Sequence, residues 1–71
     1  MRVRFETREW ERSNGGRSPR GRGQWMFRNQ AEWNMETNVV FRSEFTTFTE
    51  ARNAARAWAE GNGFETVWVC A

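Results

Sequence analysis

The sequence predicts an α+β fold, a two-layer sandwich in which an antiparallel sheet packs on one helix in the order β-β-β-α-β. Four segments place apolar residues at every second position, which is typical of half-buried strands. One segment in the second half of the chain instead repeats small apolar residues with the period of a helix. With 71 residues, the chain is expected to form a single small domain spanning residues 1–71.

The first strand is predicted over residues 2–12, RVRFETREWER, where Val3 and Phe5 alternate with charged side chains. Trp10 falls on the charged side of this alternation. Either a bulge changes the phase of the strand before Trp10, or Trp10 lies on the open face of the sheet. Residues 13–23, SNGGRSPRGRG, are predicted to form a flexible basic loop, because glycine and proline at this density interrupt regular structure.

The second and third strands are predicted over residues 24–33 and 39–45, joined by the polar link NMETN. A link this short favours antiparallel pairing of the two strands. On the second strand, the residues expected to face inward are Trp25, Phe27, Ala31 and Trp33. On the third strand, they are Val39, Phe41 and Phe45.

The helix is predicted within residues 47–63, because four apolar residues recur at the spacing of one helical stripe. They are Ala51, Ala54, Ala55 and Trp58. Thr49 is one candidate for the N-cap, and Thr47 with Glu50 forms a competing capping box. Gly61-Asn62-Gly63 ends the helix. The alanines let the helix approach a sheet crowded with Trp and Phe, since large residues on both layers would overpack the core.

The last strand is predicted over residues 64–71, FETVWVCA, and it contains the only cysteine of the chain, Cys70. A single cysteine excludes an intramolecular disulfide, which fits a reducing compartment. The sequence has no apolar run of membrane-spanning length, and no hydrophobic segment of a signal peptide follows the first residues. We therefore expect a cytoplasmic protein with no membrane partner.

The side chains of this sequence offer little for catalysis, and no enzymatic activity, cofactor or metal is expected. The chain lacks His, the commonest general base, and it lacks Asp and a second cysteine, which removes most metal-ligand sets. Glu9 and Glu11 share a strand face, but Arg8 and Arg12 beside them favour a solvated strip of ion pairs. Leu, Ile, Lys and Tyr are also absent, so a recoded or designed scaffold without an activity of its own stays open as an alternative.

Positive charge is concentrated in the first part of the chain. Residues 1–28 carry eight arginines and three glutamates, whereas residues 29–71 carry three arginines and six glutamates. This asymmetry predicts an interaction surface at one end of the molecule, with nucleic acid, either DNA or RNA, as the first candidate partner. Guanidinium groups pair bidentately with phosphate, and a glycine-rich tether leaves the backbone open to close approach.

Two sets of arginines are the candidate nucleic-acid-binding residues. In and near the loop they are Arg12, Arg17, Arg20 and Arg22. On the sheet face opposite the helix they are Arg4, Arg8, Arg28 and Arg42, together with Met26 and Val40. Trp10 and Trp68 are candidates for base stacking or for a partner-binding face.

Three alternatives to a nucleic-acid interface stay open. The loop could serve only to increase solubility, and the arginines of the sheet could form cross-strand pairs with glutamates. The domain could instead be an accessory or inhibitor domain that binds a protein, or that associates with itself. Its contact would then be an exposed Trp face or the edge of the fourth strand.

The segments WMFR and FRSEFTTFTEARNAARAWAE, about a third of the chain, resemble the last strands and the helix of the AP2-type and integrase-arm DNA-binding fold. The shared helix pattern is Thr-x-x-Glu-Ala-x-x-Ala-Ala-x-Ala followed by an aromatic residue. It is matched through Phe48, Glu50, Ala51, Ala54, Ala55 and Trp58. The resemblance implies a three-stranded sheet that enters the DNA major groove.

The residues that carry the resemblance pack the helix on the sheet, so no base-contacting residue is transferred from the family. The strand after Gly63, the long basic loop and Glu44 on the open face depart from the family pattern. The layout of the chain is also similar to that of small phage accessory domains of unknown function.

Overall fold

The computed structural model describes residues 2–34 and 36–71. Within them the chain forms four strands and two helices in the order β-α-β-β-α-β. They are β1 (Arg4–Glu6), α1 (Arg8–Ser13), β2 (Arg22–Arg28), β3 (Val40–Thr47), α2 (Phe48–Asn62) and β4 (Thr66–Val69). The predicted α+β class is confirmed, whereas the predicted order β-β-β-α-β, which lacks α1, is wrong.

The four strands form one open sheet in the order β1-β4-β2-β3. Strand β2 runs antiparallel to β3 and β4, while β1 runs parallel to β4. The sheet is therefore mixed, and the predicted antiparallel sheet is wrong. The reason is α2, whose 15 residues carry the chain across β2 and insert β4 between β2 and β1, where β4 runs antiparallel to β2 and parallel to β1. Because β4 has a neighbour on each side, its edge is closed to a partner; the free edges belong to β1 and β3.

The predicted first strand ends at Glu6 because the chain turns into the short helix α1. The Thr7 carbonyl accepts from the Glu11 N–H at 3.0 Å, and the Thr7 hydroxyl donates to the Glu11 carboxylate at 2.7 Å. The turn moves Trp10 off the charged face and packs its ring on Trp25, with 5.5 Å between the ring centroids. A helix therefore explains the displaced phase of Trp10, and both the bulge and the open-face position are wrong.

Strand β3 contains a bulge that the alternating pattern does not predict. The pairing with β2 shifts by one residue between Gln24 and Met26, so Ser43 and Glu44 together oppose Trp25. The Ser43 hydroxyl accepts from the Trp25 N–H at 2.9 Å and holds the bulge in place. The extra residue reverses the alternation that follows it. Phe45 therefore points outward and is 71% exposed, which corrects its predicted inward position.

The segment between β2 and β3 also differs from the prediction. Strand β2 begins at Arg22, two residues earlier than predicted, and it ends at Arg28, so residues 29–32 form bends and Trp33 follows without regular structure. Trp33 is consequently 57% exposed, and Ala31 and Val39 are exposed as well. Their predicted inward positions are wrong, because these residues lie outside the sheet.

Helix α2 begins and ends where local signals indicate. The Thr47 side chain accepts from the Glu50 N–H at 3.3 Å, so Thr47 is the N-cap and the Thr49 alternative is wrong. Gly63, with a φ of 75°, closes the C-terminus. Among the described residues, no helix is long and apolar enough to cross a membrane.

The core lies between α2 and one face of the sheet. The buried residues of α2 are Phe48, Ala51, Ala55 and Ala59. Ala54, predicted on this stripe, is exposed, and Trp58 is only partly buried. Phe27 of β2 is at the centre, because its ring lies 6.1 to 6.3 Å from three other phenylalanine rings. Apart from Phe48, the buried residues of α2 are alanines, and they pack against the large rings of the sheet as predicted.

Candidate nucleic-acid interface

A groove opens where the end of the loop meets α1, β2 and β3. Its volume is about 440 Å³. Its lining includes Arg20, Arg22 and Arg42, the rings of Trp10 and Trp25, and the thioether of Met26. Cationic and aromatic side chains thus share one concave surface, which we name the basic groove.

The loop that leads into the basic groove spans residues 14–21 and is anchored at both ends. At its start, the Gly16 N–H donates to the Glu11 carbonyl at 2.8 Å. At its end, the Phe48 N–H of α2 donates to the Gly21 carbonyl at 3.0 Å. The anchors hold the loop between the two helices. The flexibility expected between them stays a prediction.

The arginines of the loop and the sheet form a continuous surface. Arg17 and Arg20 are exposed and, with Ser18, line a second depression that adjoins the basic groove at Arg20. Arg22 is the first residue of β2, and Arg42 lies on the neighbouring strand β3. Both are exposed. The structure therefore brings four of the predicted site residues to one side of the molecule.

The ion pairs within residues 2–34 and 36–71 lie outside this surface. The Glu6 carboxylate lies 3.6 Å from Arg4 and 3.6 Å from Arg8, and Glu9 pairs with Arg28 at 2.7 Å. The described residues place no carboxylate within 4.0 Å of five other predicted site residues. These are Arg12, Arg17, Arg20, Arg22 and Arg42. The guanidinium groups of the loop and the basic groove are therefore available to an external anion.

Helix α1 separates the basic groove from a region of mixed charge. Trp10 lines the basic groove, whereas Arg8 and Arg12, one helical turn apart, line another depression of about 370 Å³. Trp68 and two glutamates also line this depression beside Arg8 and Arg12. The structure therefore does not bring Arg8, Arg12 and Trp68 together with the basic groove, and the glutamates weaken the positive potential around them.

Arg28 is buried, with 2% of its side chain exposed, instead of lying on the open face as predicted. Its Nη2 and Nη1 atoms donate to the two oxygens of Glu9 at 2.7 and 2.9 Å. Its Nε donates to the Gln30 carbonyl at 2.9 Å, and the Trp33 ring covers the guanidinium at 4.5 Å from the ring centroid. The predicted exposure of Arg28 is wrong, because its hydrogen bonds are made inside the protein.

The Glu9–Arg28 pair shifts the titration of both groups. The hydrogen bonds from Arg28 are the largest cause that lowers the pKa of Glu9, and those from Glu9 raise the pKa of Arg28. The Ala71 N–H adds a hydrogen bond to Glu9 at 3.1 Å. Folding therefore favours the charged forms of both side chains, and the pair joins α1 to the end of β2.

The lowered pKa of Glu9 predicts a specific loss of stability in acid. A carboxyl group with a lowered folded-state pKa stabilises the fold above its unfolded-state value, about 4.3, and this contribution is lost as the pH falls through the lower, folded-state pKa. We expect the free energy of unfolding of the wild type to fall more steeply between about pH 5 and pH 3 than that of Glu9→Gln. Urea unfolding at a series of pH values measures both slopes. Equal slopes would contradict the assignment.

The Cys70 thiol is buried beside the same pair, with its Sγ 3.4 Å from Nη1 of Arg28. Burial raises the pKa of the Cys70 thiol, and the hydrogen bond from Arg28 counteracts this only in part. The thiol is therefore protonated at neutral pH and packs as a small apolar side chain. Across residues 2–34 and 36–71, no three His, Cys, Asp or Glu side chains come together to hold a metal ion.

Two aromatic features of this surface are missing from the predictions made from the sequence. The Trp25 ring is buried as predicted, but its Nε1–H has no hydrogen-bond partner among the described residues. Phe45 is exposed and pairs across strands with Gln24, which lines the basic groove. The polar pair Ser43-Glu44 is the one signal in the sequence that a bulge could turn Phe45 outward.

Comparison of the chain with known protein families, with curated proteins and with solved structures found no match. The resemblance to the AP2-type and integrase-arm fold, and the similarity to phage accessory domains, therefore stay predictions. The functional assignment depends on the geometry of the loop and the basic groove.

Proposed function

We propose that this chain is a non-enzymatic binding module that contacts nucleic-acid phosphates through its loop and basic groove. The observation that carries the proposal is the continuous surface of Arg17, Arg20, Arg22 and Arg42, with no carboxylate of the described residues within 4.0 Å of any of them. Because these guanidinium groups are not paired with a carboxylate of the described residues, they lose few internal contacts when they bind an anion. They also offer the forked donors that match phosphate oxygens.

The backbone of the loop supports the same role. The positions where a Cβ would project from Gly15, Gly16 and Gly21 have no heavy atom within 4 Å other than those of the glycine and its two chain neighbours. A phosphate group can therefore approach the main chain closely, without the side chains that other residues would place there. Arg4 and Arg8 pair with Glu6 outside the basic groove and are not part of the proposed interface, whereas Arg12 has no carboxylate of the described residues within 4.0 Å and would add long-range attraction to it.

Binding to generic nucleic acid is expected to weaken steeply with salt. If four guanidinium groups neutralise four phosphates, the logarithm of the association constant falls with the logarithm of salt concentration with a slope of roughly −3 to −4. Fluorescence anisotropy of labelled single- and double-stranded oligonucleotides measures the slope. Arg17→Gln/Arg20→Gln is expected to make the slope less steep by about 1.5 and to weaken binding.

A matched variant distinguishes the proposed interface from net charge alone. Arg52→Gln/Arg56→Gln removes the same charge from α2, where the Arg56 guanidinium lies 5.6 Å from the centroid of the Phe5 ring. We expect this variant to keep the wild-type slope. If the two double variants lose equal amounts of nucleic-acid affinity, the proposed interface is overturned. If binding does not depend on salt, the proposed function is overturned.

A protein partner is the second candidate function, and the exposed apolar residues of β3 favour it. Val40 and Phe45 are both exposed on this strand, which has a free edge. Contacts of apolar side chains survive high salt, whereas phosphate contacts do not. A bound protein or a dimer that persists at high salt and is lost in Phe45→Ala would support this second function.

A further inference from the structure

We infer that the basic groove and Phe45 form a track for single-stranded nucleic acid, in which an unpaired base stacks on the Phe45 ring. The inference rests on the proposed function and adds a ligand class to it. The exposed Phe45 ring would give the preference for single strands. The basic groove would bind the sugar-phosphate chain on either side of the stacked base.

The position of Phe45 is the first support. At 71% exposed, it is the most exposed large apolar side chain of the described residues. The bulge at Ser43-Glu44 turns the ring away from the core, onto the side where its partner Gln24 lines the basic groove. An exposed aromatic ring on a surface that also carries arginines is the arrangement on which single-stranded binding surfaces depend.

The cations around Phe45 are the second support. On its own strand, Arg42 precedes Phe45 by three residues, across the bulge. On the neighbouring strand, Arg22 precedes Gln24 by two residues. In the register of the two strands, Phe45 thus lies between the positions of Arg22 and Arg42, and neither arginine has a carboxylate of the described residues within 4.0 Å. The phosphates before and after a stacked base would each lie near one of them.

The indole of Trp25 supplies an independent indication that the basic groove takes a ligand. Its Nε1–H is buried and unpartnered among the described residues, and Trp25 is 7% exposed. Nε1 lies 4.0 Å from the position that a Cβ would take on Gly23, and both residues line the basic groove. Leaving a buried donor unpaired is costly, so an oxygen acceptor of a bound nucleotide would be favoured there.

Single strands are favoured over duplexes for a geometric reason. In a duplex each base face is covered by its neighbours, so a protein ring reaches a base face only where the strand is unpaired. The basic groove, at about 440 Å³, has the size of a site for a small molecule or a single nucleotide. A duplex could contact the arginines at the rim, but it could not place a base on Phe45.

The test compares Phe45→Ala with wild type, using oligo-dT, oligo-rU and a duplex of the same length at one fixed salt concentration. Loss of one stacked base is expected to weaken single-strand binding by a factor of about ten and to leave duplex binding and the salt slope unchanged. Val40→Ala truncates another exposed apolar residue of β3 and is expected to change single-strand binding by less than about twofold. Phe45→Trp keeps a stacking surface and should retain single-strand affinity.

The outcomes separate this inference from the proposed function. If Phe45→Ala binds single strands as wild type does, or loses single- and double-strand affinity equally, stacking on Phe45 is overturned while salt-dependent binding keeps the proposed function. If no oligonucleotide binds with a salt-dependent affinity, both are overturned. Oligo-dT and oligo-rU differ in the 2′-hydroxyl and in the 5-methyl group of the base. A difference in affinity therefore shows that one of these two groups affects binding, and equal affinities mean that neither group is recognised.

Discussion

Phe27→Ala is expected to lower the free energy of unfolding by about 3 to 5 kcal/mol. Phe27 is fully buried, and its ring packs against Phe5 of β1, Phe41 of β3 and Phe48 of α2. Truncation removes the apolar contacts of the ring and leaves a cavity that these three rings cannot fill without moving. A domain of this size has little stability to spare, so much of the population should unfold in mild urea.

The matched control for this prediction is Phe45→Ala, which removes the same ring from an exposed position of the neighbouring strand. We expect it to change the free energy of unfolding by less than about 0.5 kcal/mol. Urea unfolding followed by tryptophan fluorescence measures both variants, since the protein has five Trp residues to report on the core. Equal effects of the two substitutions would show that the placement of Phe27 at the centre of the core is wrong.

The features that sequence reasoning predicts well are those set by neighbouring residues. Helix α2 is the main example, because its alanine-rich period, the Thr47 N-cap and the Gly63 C-cap all lie within one continuous segment. The exposed arginines of the loop are a second example. They are predicted from a glycine-rich composition with a proline, which disfavours regular structure, and the structure leaves Arg17 and Arg20 exposed.

The features that it misses depend on contacts between distant parts of the chain. Helix α1 has six residues, too few for the helical period to be distinguished from the alternation that precedes it. The helical turn at Trp10 allows its ring to pack on the buried ring of Trp25, which is 15 residues away in the chain. The position of β4 between β1 and β2 follows from the crossover through α2, which no local pattern reports.

In the candidate site, too, the features set by neighbouring residues are predicted and those set by distant contacts are missed. The segment that contains Arg17, Arg20 and Arg22 is recognisable from its glycines and its charge, whereas the burial of Arg28 is not. Arg28 is paired with Glu9, 19 residues earlier in the chain, and local spacing instead assigns Glu9 to Arg8 and Arg12. Arginine content therefore identifies candidates for anion binding, but only the positions of the carboxylates decide which of them are available.

Glu9→Ala is expected to lower the free energy of unfolding by about 2 to 3 kcal/mol. The substitution leaves the guanidinium of Arg28, at 2% exposed, without a counter-charge. Breaking one side of a buried ion pair is more costly than its net attraction suggests, because the remaining charge stays desolvated. The expected value is smaller than for a fully buried ion pair, since the Glu9 side chain is 34% exposed and solvent screens part of the interaction.

Two further variants test whether the cost comes from the unpaired charge of Arg28. Glu6→Ala removes a carboxylate that pairs at 3.6 Å with the exposed Arg4 and Arg8, and it should cost less than about 1 kcal/mol. Glu9→Met/Arg28→Met replaces both charges by apolar side chains and should recover most of the stability lost in Glu9→Ala. Thermal and urea unfolding of the three variants and the wild type measure these differences. If the double variant is less stable than Glu9→Ala, the hydrogen bond from Arg28 to the Gln30 carbonyl, and not the neutralised charge, stabilises this end of the sheet.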